Sequence, residues 1–250
     1  MIDKLDEAET FRAARIGRLS SVADSLALLQ AWRSILPEQV FITAGPLLDN
    51  ATPLTAHERA SVGPLDAQRL LELESGRAYA KRALAMIGYH GVELPVAADR
   101  SPSWPTGALG SLTHVMGRDG GHFAAAVARN DTIGAVGIDV EREDGLHPRL
   151  WDHVLTRQEL ARILALPVAA RATETQIIWC AKEAAGKAAR RPIEPTELEV
   201  ERDRDGDGYT ATWRHSLEER DRSANMWHGQ VIRSHGFILA AVVVPKGRST

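Results

Sequence analysis

The stretch from Gly137 to Lys187 constrains this chain more than any other. It opens on an alternation, in which Gly134, Val136, Ile138 and Val140 interleave with Ala135, Gly137, Asp139 and Glu141. Period two is the signature of a strand with two unlike faces. Asp139 and Glu141 therefore share a face, about 7 Å apart along the strand. Two carboxylates so placed repel unless a cation or a basic group lies between them. Hard oxygen ligands of this kind suit Mg²⁺, which keeps several waters and takes one or two carboxylates plus substrate phosphates. An isolated Asp-x-Glu is equally what a solvated strand end looks like, so the pair needs a second element to carry chemistry.

Trp179-Cys-Ala-Lys182-Glu183-Ala-Ala-Gly-Lys187 supplies that element. At about 100° per residue, Ile177, Ile178, Ala181, Ala184, Ala185 and Ala188 form one helix face. Trp179, Glu183, Gly186, Lys187 and Arg190 form the other, flanked by Lys182. Glu183 and Lys187 are four apart, in the favourable order for an ordinary ion pair. Gly186 weakens a helix interior and suggests a close approach by another group.

Composition sets the outer bounds. The 250 residues carry 25% charged and 44% hydrophobic side chains, as ordinary soluble proteins do. A net charge of −3 gives no global field for nucleic acid or membrane. One Cys excludes an internal disulfide framework and fits a reducing compartment. With no apolar run long enough to span a bilayer and no signal-peptide pattern, a cytoplasmic protein is expected.

Along the chain, helix is expected from Glu7 to Ile35, over 56–62 and over 65–88. Strands are expected at Val40–Ala44, His122–Ala128, Glu197–Glu201, Tyr209–Trp213, Trp227–Ile232 and Phe237–Val244. Arg69 and Arg77 fall within the apolar stripe of the 65–88 helix, where an arginine needs a carboxylate or a bound anion. Pro95, Pro102, Pro105 and Gly107 mark a loop carrying Arg100 and Trp104. Gly110-Ser-Leu-Thr-His114 leads towards a glycine-rich loop at Gly117, Gly120 and Gly121. A helix begins at Pro148, Thr156-Arg-Gln-Glu159 is a capping box, and Thr173 to Arg191 is the Glu183 helix. Asp203 to Gly208 resembles the start of a calcium loop. Its twelfth position is Arg214 instead of the bidentate Glu, so a hairpin turn is the better reading.

These motifs together carry a resemblance. Gly137-Ile-Asp139-Val-Glu141 followed by Trp179-x-x-Lys182-Glu183-x-x-x-Lys187 resembles the signature of 4′-phosphopantetheinyl transferases. Arg69-x-x-Glu72-x-x-x-Gly76-Arg77, Asp99-Arg100-x-Pro-x-Trp104-Pro105 and Gly110-Ser-Leu-Thr-His114 resemble the Sfp-type enzymes, and among those the enterobactin-synthase component D branch of siderophore and secondary-metabolite biosynthesis. The match spans roughly residues 65–195.

The resemblance implies an α+β fold, a pseudo-dimer of two similar subdomains, with boundaries expected at 1–133 and 134–250. It implies transfer of the 4′-phosphopantetheine arm of coenzyme A to a serine of an apo acyl or peptidyl carrier protein, releasing adenosine 3′,5′-bisphosphate. Asp139 and Glu141 would hold Mg²⁺ (or Mn²⁺), and Glu183 would be a third ligand or the base for the serine proton. Lys182 and Lys187 would neutralise the pyrophosphate. Arg69, Arg77, Arg100 and His114 would grip the 3′-phosphate, with a turn at Gly110–Thr113, including Ser111 and Thr113, near the adenine. The expected partners are coenzyme A and a carrier protein, with neither nucleic acid nor membrane, and the chain is expected to work as a monomer. Two other readings remain open from the residues: a coenzyme A-binding protein without transfer activity, and a metal-dependent phosphodiesterase.

Overall fold

A computed structural model describes residues 22–117, 120–190, 193–203, 206–214 and 226–247. Helix α1 (Val22–Ser34) leads into strand β1 (Phe41–Pro46), and the short α2 (Ala56–Ala60) precedes the long α3 (Ala67–Met86). Strands β2 (Ala108–Gly117), β3 (Gly120–Arg129) and β4 (Ile133–Arg142) follow in sequence. Helices α4 (Trp151–Val154), α5 (Arg157–Ala165) and α6 (Val168–Ala189) then lead to β5 (Leu198–Arg202), β6 (Gly208–Trp213), β7 (Met226–Ser234) and β8 (Phe237–Pro245).

The strands form two antiparallel sheets, ordered β1-β3-β2 and β4-β8-β7-β6-β5. Their topologies match. In each half a strand is followed by a long helix, then by a hairpin whose last strand inserts beside the first. Thus β1, α3, β2 and β3 correspond to β4, α6, β7 and β8, with β5 and β6 added to the second half. The expected pseudo-dimer is visible in this connectivity.

Burial explains the alanine-rich β3. Ala125 and Val127 pack under α3, while Ala124, Ala126 and Ala128 face a central core shared with α1 and the large sheet. A strand covered on both faces reads as a near-continuous apolar run. The same holds for β8, whose Ile238, Ala240 and Val242 meet α6 while Leu239 and Ala241 enter the central core. On β4, Val136, Ile138 and Val140 join the central core, which leaves Gly137, Asp139 and Glu141 facing α6.

Several boundaries differ from expectation. The glycine-rich loop is a tight β2–β3 hairpin with Gly117 paired to Gly120, and Gly110–Thr113 is strand interior instead of a turn. Helix α6 starts at Val168, five residues before Thr173, because Ala169, Ala170, Arg171 and Ala172 are strong helix formers. The expected helix of residues 7–35 is described from Val22 onward. Its first part lies outside the described residues. Among the described residues, no helix is long and apolar enough to cross a membrane.

Candidate active site

Gly137 brings α6 onto β4. A Cβ there would run into the carbonyl oxygen of Ala184 and come within 2.5 Å of the amide nitrogen of Ala188. The absence of a side chain allows the helix backbone to lie directly on the strand. One stripe of α6 then faces the two carboxylates, namely Gln176, Trp179, Cys180, Glu183 and Lys187 at i, i+3, i+4, i+7 and i+11.

Lys187 Nζ meets Asp139 Oδ1 at 2.5 Å and also donates to Thr113 Oγ1 at 3.2 Å. The Thr113 hydroxyl donates to Asp139 Oδ1 at 2.9 Å and accepts the amide of Val140 at 3.3 Å. Ser111 Oγ accepts the amide of Ile138 at 3.0 Å. Ser111 and Thr113 therefore form a seam between edge strands β2 and β4. Their hydroxyls hold β4, the strand of Asp139 and Glu141, in place. Lys187 pairs with Asp139 where the helix spacing suggested Glu183.

Asp139 is only 5% exposed, and its Oδ2 is buried with no hydrogen-bond partner among the described residues. An orphaned buried carboxylate oxygen is costly. Its neighbours show the same stress. Burial, reinforced by the Asp139 charge, pushes Glu141 up to about 7, even though the hydrogen bond from Trp179 and the neighbouring Gln176 side chain favour its anion. Burial and Asp139 likewise raise Glu183, with Lys187 opposing. For Lys187 burial pulls the pKa down, but Asp139 outweighs it and the ammonium is held above its ordinary range. The site is a concentration of negative charge with one lysine to offset it.

Among the described residues, no group of three or more His, Cys, Asp or Glu side chains forms a ready-made metal cage. The donor set nevertheless fits Mg²⁺, which needs only one or two carboxylates. Asp139 Oδ2 is available, and Glu141 and Glu183 are each destabilised as anions by the charge beside them.

A pH effect on the metal-free protein follows. Glu141 titrates higher in the folded chain than its ordinary 4.5. The folded state then holds more protons than the unfolded state across that window, and stability falls as pH rises through about 7. Glu141→Gln removes this dependence. Between about pH 5 and about pH 8, the wild type should lose on the order of 2–3 kcal/mol relative to the variant. Urea denaturation with chelator present measures it, and parallel pH profiles would contradict the repulsion.

The second cluster lies on the other side of β2. Arg69 NH1 bonds Glu72 Oε2 at 2.9 Å and lies 3.3 Å from His114 Nε2. His114 stacks on Phe123 with ring centroids 5.1 Å apart. Its pKa is lowered by burial and then by Arg69. Lys187 and Asp139 also act on His114 electrostatically, so Thr113 and its neighbour His114 connect the two clusters. Arg69 does not face the core as its stripe position suggested. It sits in the first turn of α3, after the Asp66 cap, with its side chain 55% exposed. Glu72 is the member of this cluster that sequence reasoning did not assign. Its i+3 spacing from Arg69 was the available signal.

Two expected ligands are placed elsewhere. Lys182 is fully buried, and its three donors go to Glu159 Oε2 at 2.6 Å, Val154 O at 2.8 Å and Pro195 O at 2.7 Å. No N–H remains for a pyrophosphate. Arg77 is 4% exposed, and its Nε donates to Leu94 O at 2.7 Å, with the charge of Glu58 nearby. Glu58 itself accepts the amide of Leu94 at 2.8 Å and pairs with Lys81. Arg77 and Glu58 thus grip both backbone groups of Leu94 and fix that loop, and Arg77 is separate from the Arg69–His114 pair. Gly186 has a similar explanation, because a Cβ would meet Ile193 at 2.7 Å; the close neighbour is a side chain of the same protein.

Arg100 is exposed, in a left-handed turn with φ 64. Its loop is tied to the end of α6, where Arg190 reaches Asp99 at 3.3 Å and Ser101 at 3.2 Å. Trp104 packs over Gly110 in the α3-side core. A cavity of about 690 Å³ lined by Ile35, Thr132, His228, Gln230 and Val243 lies away from the α6 face of the large sheet. No residue of the carboxylate site lines it, and the donor geometry locates the chemistry better than the cavity does.

Comparison with known proteins gives a consistent result. Residues 135–242 match a family model described as the 4′-phosphopantetheinyl transferase superfamily. Residues 57–128 match one described as the 4′-phosphopantetheinyl transferase N-terminal domain. The chain is 33% identical over 159 residues to 4′-phosphopantetheinyl transferase PptT of Mycobacterium tuberculosis, covering 62% of this chain and 68% of that one. It is 31% identical over 157 residues to 4′-phosphopantetheinyl transferase Npt of Nocardia iowensis, covering 62% and 67%. The holo-[acyl-carrier-protein] synthase structure from Thermotoga maritima is 20% identical, with a TM-score of 0.36 over 46% of this chain and 64% of that one. On the two family matches and the two long alignments, this chain belongs to the 4′-phosphopantetheinyl transferase superfamily.

Proposed function

We propose that the protein moves the 4′-phosphopantetheine arm of coenzyme A onto a serine of an apo acyl or peptidyl carrier protein. The observation that supports this most is the convergence of Asp139, Glu141, Glu183 and Lys187 beside Thr113, with the Arg69–His114 pair one residue further along β2. One cluster suits a pyrophosphate and the other a terminal phosphate, the two anionic ends of coenzyme A. Residues 1–133 would carry the second and 134–250 most of the first.

Asp139 and Glu141 would hold Mg²⁺ or Mn²⁺. When bound, the ion supplies neutralisation of the pyrophosphate charge that develops during displacement at phosphorus. Lys187, partly exposed beside Asp139, would neutralise a pyrophosphate oxygen. Glu183, destabilised as an anion by burial and Asp139, would accept the serine proton. The serine oxygen forms a bond to the phosphorus on the pantetheine side. The bond to the bridging oxygen breaks, and its electron pair leaves with adenosine 3′,5′-bisphosphate.

Arg69 and His114 would bind the 3′-phosphate, with Glu72 as the internal counter-charge that phosphate relieves. Arg69→Ala should weaken coenzyme A about tenfold or more, the scale of one charge-assisted contact, and leave 3′-dephospho-coenzyme A almost unaffected. Calorimetric titration of both ligands tests this. Equal losses for the two would remove Arg69 from the 3′-phosphate.

A further inference from the structure

We propose that Trp179 and Gln176 are positioning residues for Glu141, and that they fix this carboxylate as half of the divalent-cation site. The inference rests on the metal reading of Asp139 and Glu141 given above. Trp179 Nε1 donates to Glu141 Oε1 at 2.9 Å. The Gln176 side chain lies beside Glu141 and favours its ionised form. Gln176 is 5% exposed and its Oε1 has no partner among the described residues, which leaves the amide nitrogen as the end able to serve a carboxylate. The two donors lie three residues apart on α6, on the stripe that faces β4.

A partly buried indole N–H seeks an acceptor of some kind, and packing alone would leave that acceptor unspecified. Here it is a carboxylate repelled by Asp139 two residues away on the same strand face. Repulsion between the two would turn Glu141 outward unless something held it. The single lysine at the site is engaged by Asp139 and Thr113, so it does not hydrogen-bond Glu141. Each carboxylate therefore has its own holder: Thr113 and Lys187 for Asp139, Trp179 and Gln176 for Glu141. Hydrogen bonds to an ionised acceptor are the strong ones. Outer partners that orient a metal ligand are worth about 10–100-fold in metal affinity or activity.

The test uses Mn²⁺ as the probe and electron paramagnetic resonance of free Mn²⁺ as the readout, without substrate. Trp179→Phe keeps most of the ring volume and removes the donor, and Gln176→Met does the same for the amide. Each is expected to raise the Mn²⁺ dissociation constant about tenfold or more. Coenzyme A affinity in chelator and the thermal midpoint should stay near wild type. Unchanged Mn²⁺ affinity in both variants would overturn the proposal, as would parallel losses of Mn²⁺ and chelator-insensitive coenzyme A binding, which would mean general collapse of the site. Asp139→Asn separates this from the underlying reading. If it loses Mn²⁺ while the two α6 variants keep it, only the positioning role fails. If Asp139→Asn binds Mn²⁺ normally, the metal reading fails with it.

Discussion

Asp139→Asn is expected to lower the transfer rate about 10³-fold, the several kcal/mol that a lost anionic metal contact represents, while leaving the fold nearly unchanged. The two halves of that expectation come from different oxygens of one side chain. Oδ1 accepts from Thr113 and Lys187, and an asparagine oxygen can still accept from both. Oδ2 bonds nothing among the described residues, so an amide nitrogen in its place leaves both of those contacts standing; the lost charge removes the anionic ligand and the ion pair with Lys187, and relief of the repulsion on Glu141 and Glu183 offsets the latter. Asp139→Ala is a poorer experiment, because it would strand the Lys187 ammonium and the Thr113 hydroxyl in a buried seam. Turnover number and thermal midpoint measured together decide the matter. Turnover within tenfold of wild type would remove Asp139 from the chemistry.

Lys182→Met should have the largest effect on stability. It removes one partner of a buried ion pair and leaves Glu159 as an unpaired buried carboxyl, at a cost of about 3–5 kcal/mol. That is a large part of the total stability of a typical domain. The loss extends beyond the pair. Glu159 also caps its own helix through Thr156 and accepts the amide of Val200 at 2.7 Å, joining α5, α6 and β5. Replacing both partners, as Lys182→Met with Glu159→Leu, should recover part of the loss, because buried pairs exchanged for apolar residues are often close to neutral. Chemical denaturation checks both variants. A Lys182→Met protein of wild-type stability that binds coenzyme A weakly would restore Lys182 to the pyrophosphate.

Much of this was legible in the sequence for a physical reason. The alternation around Asp139 and the wheel around Glu183 are local periodicities, and the backbone obeys them wherever tertiary contacts agree. The strands other than β2, the long helices and the faces of Asp139, Glu141, Glu183 and Lys187 came from them. What the sequence could not show was pairing across distance. Lys182 sits next to Glu183 in the chain, yet a rotation of about 100° aims it at Glu159 instead of at β4. Arg77 lies on the same helix as Arg69, but its partner is a peptide of the loop some seventeen positions on. Trp179 was recognisable as a polar-face residue, and only the docking of α6 on Gly137 reveals that it meets Glu141. Ser111 and Thr113 belong to a strand edge that no local pattern announces, because their hydroxyls bond the backbone of a different sheet.

Transfer itself is read by intact-mass spectrometry of apo carrier proteins, both acyl and peptidyl, incubated with this protein and coenzyme A, with Mg²⁺ or with chelator. At least one carrier should gain the mass of one phosphopantetheine on its serine, adenosine 3′,5′-bisphosphate should appear in equal amount, and chelator should stop both. Cleavage of coenzyme A with every carrier left unmodified would contradict transfer and favour a phosphodiesterase. Coenzyme A bound but left intact, with no carrier modified, would contradict it in favour of a binding protein.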